Sequence, residues 1–366
     1  MSTMPFQVSI VETKDNVASA LARALGLLKW TPLQGETYLI KPNMLNAKTS
    51  EQGVTTDPRI VKALATLLLS AGNKAFVGDS PGNAYPGKAR SVFIKTGMMD
   101  ALVESGAEFI DFEESPPKIV DTKGELIKQI GLGSAVFEHR LINVAKLKTH
   151  LQTKMTGAIK NLAMGCIQGS GKAAIHKVGK TKESMAKAMI DVYAAIRPQV
   201  SINIMDAIVC MEGNGPSSGR VVKLNKLLAS KDALALDMVS FKMAGVTPED
   251  VPHIREAIRR GFGPKCYEEI EILGDPFKPV KFQMAATFFN DLTLFAGSYA
   301  VTSLGPSVYI DYSNCTNCGE CAGICPVKAI TLESYPTIEK SKCIKCYACH
   351  EVCENKAVKI KKSRIS

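Results

Sequence analysis

Eight of the eleven cysteines lie between residues 315 and 353, at spacings that suit one particular chemistry. Cys315, Cys318, Cys321 and Cys325 follow one another as C-x2-C-x2-C-x3-C, with Pro326 next. Cys343, Cys346, Cys349 and Cys353 repeat the run, the first cysteines 28 residues apart. This is the ligand pattern of bacterial two-cluster ferredoxins. Three cysteines two residues apart wrap a tight loop round one cubane, and the fourth, on the following helical turn, points to the other cluster. The pattern predicts two [4Fe–4S] clusters. Cys315, Cys318, Cys321 and Cys353 would hold one, and Cys343, Cys346, Cys349 and Cys325 the other. Structural zinc matches less well because it favours separated CxxC pairs, and disulfides are rare in a reducing cytosol. Glu354 stands where the first run has its proline, which weakens the turn without removing a ligand.

A second set of reactive residue types sits where short apolar runs end. Thr37–Ile40 leads into Lys41-Pro42-Asn43, and Lys74–Val77 into Gly78-Asp79-Ser80-Pro81-Gly82. Leu141–Val144 leads into Lys146-Leu147-Lys148-Thr149-His150, and Val200–Met205 into Asp206 and then Glu212-Gly213-Asn214-Gly215-Pro216. Parallel α/β sheets bind ligands outside the carboxyl ends of their strands, so these ends predict one cleft carrying both charge signs. A helix is expected to follow the third, with Thr153, Thr156, Gly157 and Lys160 on one polar face beside Asn161. Small hydroxyls, a glycine and an ammonium suit a phosphate or carboxylate. A solvated face is the ordinary alternative for a lysine-rich helix. In the ligand-site reading, Lys41, Lys146, Lys148 and Lys160 hold an anion. Asn43, Ser80, Thr156 and Asn161 line it, and Asp79, His150, Asp206 and Glu212 manage protons.

Other signals fall short. Gly169-Ser170-Gly171-Lys172 resembles a phosphate loop, but Ala173 replaces the hydroxyl residue and Cys166 the first glycine. Gly131-Leu132-Gly133 lacks the third glycine of a dinucleotide fingerprint. His176 is a further acid–base candidate. Cys210, beside Asp206, is a candidate thiol, although free cysteines are usually buried.

The elements that must position these residues follow from hydrophobic period and capping. Strands are expected at Phe6–Val11, Thr37–Ile40, Lys74–Val77, Glu108–Phe112, Leu141–Val144 and Val200–Met205. A helix capped by Asp15 is expected to run to Trp30, and another to start at Asp57-Pro58 and stop at Gly72. Others are expected near 89–104, 183–196, 232–244 and 248–260. Strands separated by helices predict an α/β domain, residues 1–300, with a mainly parallel sheet and helices on both faces. A small α+β domain of the two-cluster ferredoxin-like type follows at 306–366. It is built from a repeated unit of strand, cysteine loop, short helix and strand over Ser307–Glu333 and Pro336–Lys361.

The chain has 366 residues, 22% of them charged, and a formal charge of +10. That composition excludes disorder and collagen-like repeats. Residues 140–187 carry ten basic side chains and only one acid, Glu183, so most of the excess lies in this segment. No secretory leader is read at Met1–Ile10. The longest uncharged stretch, Leu292–Ile310, is too polar and is broken by Gly305-Pro306, so no membrane insertion is expected. The expected setting is cytoplasmic. Nucleic acid is not an expected partner, because no reader motif or stacking aromatics accompany the lysines.

Taken together, Lys41-Pro42-Asn43, Gly78-Asp79-Ser80-Pro81-Gly82, Thr156-Gly157-Ala158-Ile159-Lys160-Asn161 and Met211-Glu212-Gly213-Asn214-Gly215-Pro216 resemble the domain of unknown function 362 family over residues 7–275. Some of its members carry a C-terminal two-cluster ferredoxin domain. The resemblance implies an iron–sulfur protein of the bacterial or archaeal cytoplasm and supplies no reaction. The expected function is a redox enzyme passing electrons to an anionic small-molecule substrate or cofactor in the cleft, with a protein as electron donor or acceptor. The alternatives are an electron-transfer module docking an acidic partner, and an anion- or metal-binding enzyme whose clusters are structural.

Overall fold

The computed structural model describes residues 6–14, 16–288 and 306–361. Strand and helix alternate through the first 274 residues much as the apolar periods require. The strands are β1 (Phe6–Glu12), β2 (Thr37–Lys41), β3 (Lys74–Asp79), β4 (Glu108–Asp111), the hairpin β5 (Lys118–Asp121) and β6 (Gln129–Leu132), β7 (Arg140–His150), β8 (Lys154–Thr156), β9 (Val200–Glu212), β10 (Arg220–Ser230) and β11 (Ile270–Gly274). The helices among them are α1 (Val17–Leu27), α2 (Pro58–Ser70), α3 (Lys88–Lys95), α4 (Met98–Ser105), α5 (Ala135–Glu138), α6 (Ala158–Gly165), α7 (Gly171–Val178), α8 (Lys182–Ile196), α9 (Ala233–Met243) and α10 (Pro252–Arg259).

One sheet has the order β11-β1-β10-β9-β7-β2-β3-β4, with β8 folded back on β7. β9, β7, β2, β3 and β4 run parallel, β1 and β11 pair parallel, and β10 is antiparallel to both its neighbours. Both faces are covered, so the central strands are apolar on both sides. Tyr38, Ile40, Ile142 and Val144 pack with α1, α2, α3 and α4. Their alternates Leu39, Leu141 and Ala145 pack with α6, α8, α9 and α10 on the other face.

Local chemistry explains the element ends. The Asp57 side chain accepts from the Arg59 amide at 3.0 Å, and Pro58 opens α2. Asn16, accepting from the Ser19 amide at 2.9 Å, caps α1; Asp15, the expected cap, lies outside the described residues. The single helix expected near 89–104 is two, because Gly97 sits in the left-handed region at φ 73° between α3 and α4. The helix expected to carry Thr153, Thr156, Gly157 and Lys160 on one face does not form. Lys154 turns the chain at φ 68°, β8 pairs Thr156 with Lys148, and α6 begins at Ala158. Two strands also run farther than their apolar stretches, β7 to His150 and β9 to Glu212.

Beyond residue 305 the repeated unit is present: β12 (Ser307–Ile310), α11 (Glu320–Gly323) and β13 (Ile330–Leu332), then β14 (Pro336–Ile338), α12 (Ala348–Val352) and β15 (Val358–Lys361). β12 pairs with β15 and β13 with β14, both antiparallel. The copies share backbone as well as spacing. Asn317, Gly319 and Lys328 have positive φ, and so do Lys345, Tyr347 and Lys356 at the same places of the second copy. Gly305 and most of the Leu292–Ile310 stretch lie outside the described residues. No described helix is long and apolar enough to cross a membrane.

The small unit sits against the strand-end side of the sheet domain. Leu151 and Ala285 belong to its apolar core. Glu320 accepts from Asn83 at 2.6 Å and from Lys88 at 2.8 Å, and Asn46 donates to the Glu351 carbonyl at 3.2 Å. Gly82 permits this approach, since a Cβ there would meet Val352 Cγ1 at 3.1 Å.

Candidate functional site

Cysteines of the two runs are brought together. A small enclosed pocket of apolar walls is lined by Cys343, Cys346 and Cys349 from the second run and by Cys325 from the first. Burial, with the neighbouring Cys318, Cys353 and Cys315, raises the Cys321 thiol to about 11, so this quartet is also gathered across the two runs. Burial likewise pushes Cys346 up to about 12. Thiols this reluctant to ionise alone suit a site whose iron supplies the missing positive charge. Backbone amides are already turned to sulfur: Ala329 N lies 3.2 Å from Cys325 Sγ, and Ala357 N 3.2 Å from Cys353 Sγ. The donor set, its apolar wall and the N–H···S contacts fit [4Fe–4S] groups.

At the ends of β2, β3, β7 and β9 lies a buried polar network. Lys41 Nζ is 2.6 Å from Asp79 Oδ1, both side chains being almost wholly buried, and Lys146 Nζ is 2.8 Å from Asp206 Oδ2. Asp79 also accepts from the Met44 amide at 2.7 Å, and Asp206 from the Asp57 amide at 2.8 Å. Asn161 joins these layers, accepting from Lys41 at 3.2 Å and Asn43 at 3.1 Å and donating to Asn143 at 2.8 Å. Lys148 donates to Asn43 Oδ1 at 2.7 Å and to the Val54 carbonyl at 2.6 Å. A Cβ on Gly165 would lie 2.8 Å from Asp79 Oδ1, so only glycine lets α6 approach the first pair.

The network changes the roles open to the expected residues. Lys41 and Lys146 already have carboxylate partners, which leaves Lys148 and Lys160 as the expected cations without a paired acid. Lys160 is half-buried and has neither a hydrogen bond nor an ion pair among the described residues. Ser80 donates to Glu113 at 2.9 Å and accepts from Lys172 at 2.7 Å. Glu212 takes its bonds from Arg220 Nε at 2.8 Å and the Gln283 amide at 2.7 Å. Thr156 Oγ1 is buried without a partner. Cys210 is fully buried, and burial raises its thiol far above the ordinary value, which argues against a reactive role. The basic segment 140–187 does not form one patch: Lys146, Lys148 and Lys172 are buried, whereas Lys177 and Lys180 face outward.

His150 meets a residue that sequence reasoning missed. Its Nε2 is 3.2 Å from Oε1 of Glu351, which α12 carries between Cys349 and Cys353. The alignment is poor, and both atoms keep unmet hydrogen-bonding capacity. The Gln152 amide donates to His150 Nδ1 at 3.0 Å, so the proton of the neutral ring belongs on Nε2. Burial, and then Lys160, lower His150 to about 4. Burial opposes ionisation of Glu351, but His150, Lys160 and His176 outweigh it and hold the carboxyl low. Also missed were Asn143 and Asn203, joined at 2.9 Å, and Lys172, which burial lowers to about 8. Asn143 and Asn203 lie inside apolar strands, and Lys172 lay inside a rejected motif; no sequence signal singled out Glu351.

Comparison with known proteins agrees with this architecture. The profile of the family described as a domain of unknown function (DUF362) matches residues 39–242, more than half of the chain, and that of a 4Fe-4S binding domain matches residues 308–331. The thylakoid-associated protein sll1697 of Synechocystis sp. is 33% identical over 236 residues, which are 64% of this chain and 71% of that protein.

Proposed function

The chain belongs to the family of the domain of unknown function 362 and carries a 4Fe-4S binding domain, and from that premise we propose that it is a two-cluster oxidoreductase that reduces, or is reduced by, a small anion in the sheet-end cleft. The observation that carries this reading is α12. One short helix carries the expected ligand Cys349, ends at the expected ligand Cys353 and presents, between them, the Glu351 carboxylate that meets His150. When bound, such clusters supply or accept electrons one at a time.

The chain's own residues do the rest. Lys160 supplies positive charge with no ion-pair partner among the described residues, Lys148 donates to Asn43 and the Val54 carbonyl, and Lys41–Asp79 and Lys146–Asp206 hold the strand ends in register. Of the four expected proton-handling groups, His150 is favoured. Asp79 and Asp206 are fixed by lysines and Glu212 by Arg220, whereas His150 is neutral, with its Nε2 short of a well-formed hydrogen bond. The cytoplasm is the inferred setting, supported by eleven cysteines with no disulfide among them.

The test is anaerobic. Reconstituted protein should bind about eight iron per chain, show two interacting reduced clusters by electron paramagnetic resonance, and be reoxidised by some members of a carboxylate and phosphate panel. Four iron per chain would remove the two-cluster reading, and no reoxidation by any member would remove the substrate reading. The outward-facing Lys177 and Lys180 favour a second reading, docking of an acidic redox partner. In that case electron transfer to a negatively charged acceptor protein slows with salt and with Lys177→Glu, while Lys160→Met has no effect.

A further inference from the structure

Around Lys160 the fold leaves an unusual number of buried polar atoms unmatched. Thr156 Oγ1, His176 Nδ1 and both ring nitrogens of His253 lack a hydrogen-bond partner, while His150 Nε2 and Glu351 Oε1 have only each other, at 3.2 Å. Their residues are each more than nine-tenths buried. Native interiors leave only a few such atoms per hundred residues without protein or bound water, since each costs about 1–3 kcal/mol, so a group of them on adjoining elements asks for a partner. Four on elements that pack together, beside an imperfect His150–Glu351 contact, point to a ligand.

They come from elements that pack on one another. Thr156 is the register partner of Lys148 and lies two residues before α6, which carries Lys160. α6 and α7 pack on α8, α10 packs on α8 and α9, and α12 brings Glu351 to His150. Lys160 is the charge they share: burial lowers His150, His176, His253 and Lys148 most, the Lys160 ammonium lowers each further, and Glu351 is the acid that acts back on it. Among the described residues no three His, Cys, Asp or Glu side chains converge on a single-metal site. The unmatched atoms are therefore read as contacts for a ligand.

We propose that Lys160, Thr156, His176 and His253 form the binding site for a small oxoanion, with His150 and Glu351 on its cluster-facing side. The proposal deepens the redox reading and rests on it only for the use made of the ligand. The ammonium, the hydroxyl and the N–H of each neutral imidazole are donors, which an oxoanion's several acceptor oxygens match. The negative charge offsets Lys160, which stands half-buried with no contact ion pair among the described residues and only the field of Glu351 acting on it. Glu351 restricts the ligand to the part of the site away from α12 and can accept from a hydroxyl beside the anionic group. Carboxylates and phosphates share this chemistry, and the test separates them.

Anaerobic, cluster-loaded protein is titrated calorimetrically with acetate and, separately, with inorganic phosphate. One saturable site for at least one probe is expected. Lys160→Met should weaken it about tenfold or more, Lys160→Arg should restore part of the loss, and His253→Phe should weaken it severalfold. Iron content and circular dichroism establish that each variant is folded. Binding of neither probe overturns the proposal, as does binding that Lys160→Met leaves unchanged. The redox reading fails separately. If the variants abolish binding but the bound anion never reoxidises reduced protein, the site stands and the substrate role falls. Reoxidation that ignores Lys160→Met has the opposite meaning.

Discussion

His150 Nε2 stands 3.2 Å from Glu351 Oε1, one residue at the tip of β7 and the other inside the helix that ends at Cys353. Removing the carboxylate takes away the acid that faces His150 and whose charge acts on Lys160. Glu351→Ala is therefore expected to destabilise the cluster-loaded protein by about 1–3 kcal/mol, with iron content unchanged because no thiolate is touched. Anaerobic urea unfolding measures it. An unaltered midpoint would show that the contact contributes nothing to holding the two parts together.

The Lys41–Asp79 pair gives a sharper stability test. Both side chains are almost fully removed from water, so losing one partner strands the other charge. Lys41→Met or Asp79→Asn alone should cost about 3–5 kcal/mol, and the double variant clearly less than the two together. A double-mutant cycle with no coupling energy would contradict this account of the sheet end.

His253 makes stability depend on pH. Burial, with Lys160 and His150 behind it, lowers its pKa to about 3, so it stays neutral in the folded chain while the unfolded chain takes up a proton near pH 6.5. The unfolded state then binds more protons between those values, and stability falls as pH falls through 6.5. Between pH 6.5 and 5.5 this one group accounts for about 1 kcal/mol. His253→Phe, which keeps an aromatic ring against Phe241, should flatten the urea midpoint over that interval. A slope identical to the parent's would refute the assignment.

The crossed cysteine quartets expected from the spacing make a direct prediction. Cys325→Ser should disturb the cluster held by Cys343, Cys346 and Cys349, although Cys325 belongs to the first run. Cys318→Ser and Cys346→Ser should each remove about four iron, from different clusters. Iron analysis with resonance spectra of the reduced variants distinguishes the sets. Identical spectra for Cys325→Ser and Cys318→Ser would mean that each run holds its own cluster.

The cluster unit was legible because its ligands are local in sequence and few arrangements of cysteine satisfy them. The parallel sheet was legible from apolar runs such as Thr37–Ile40 and from caps such as Asp57-Pro58, whose signals reside within one element. What escaped depends on distant partners. Lys146, Lys148 and His150 look like a loop that follows a strand, yet they continue β7, because Asp206 and Asn43 meet the two ammonium groups. Thr153, Thr156 and Lys160 share helical spacing, but the turn at Lys154 and the pairing of β8 prevail over that period. Glu351 gave no signal at all, since its importance lies in what faces it.

The position of Glu351 between two cluster ligands ties the shape of the cleft to iron supply. α12 is five residues long, too short to hold itself as a helix, and its firmness comes from what grips its ends. With thiolates on either side bound to metal, the carboxylate is presented to His150. On the proposed reading, cofactor insertion would serve as a maturation checkpoint, because the short helix that faces the cleft is flanked by the cysteines that would take up iron.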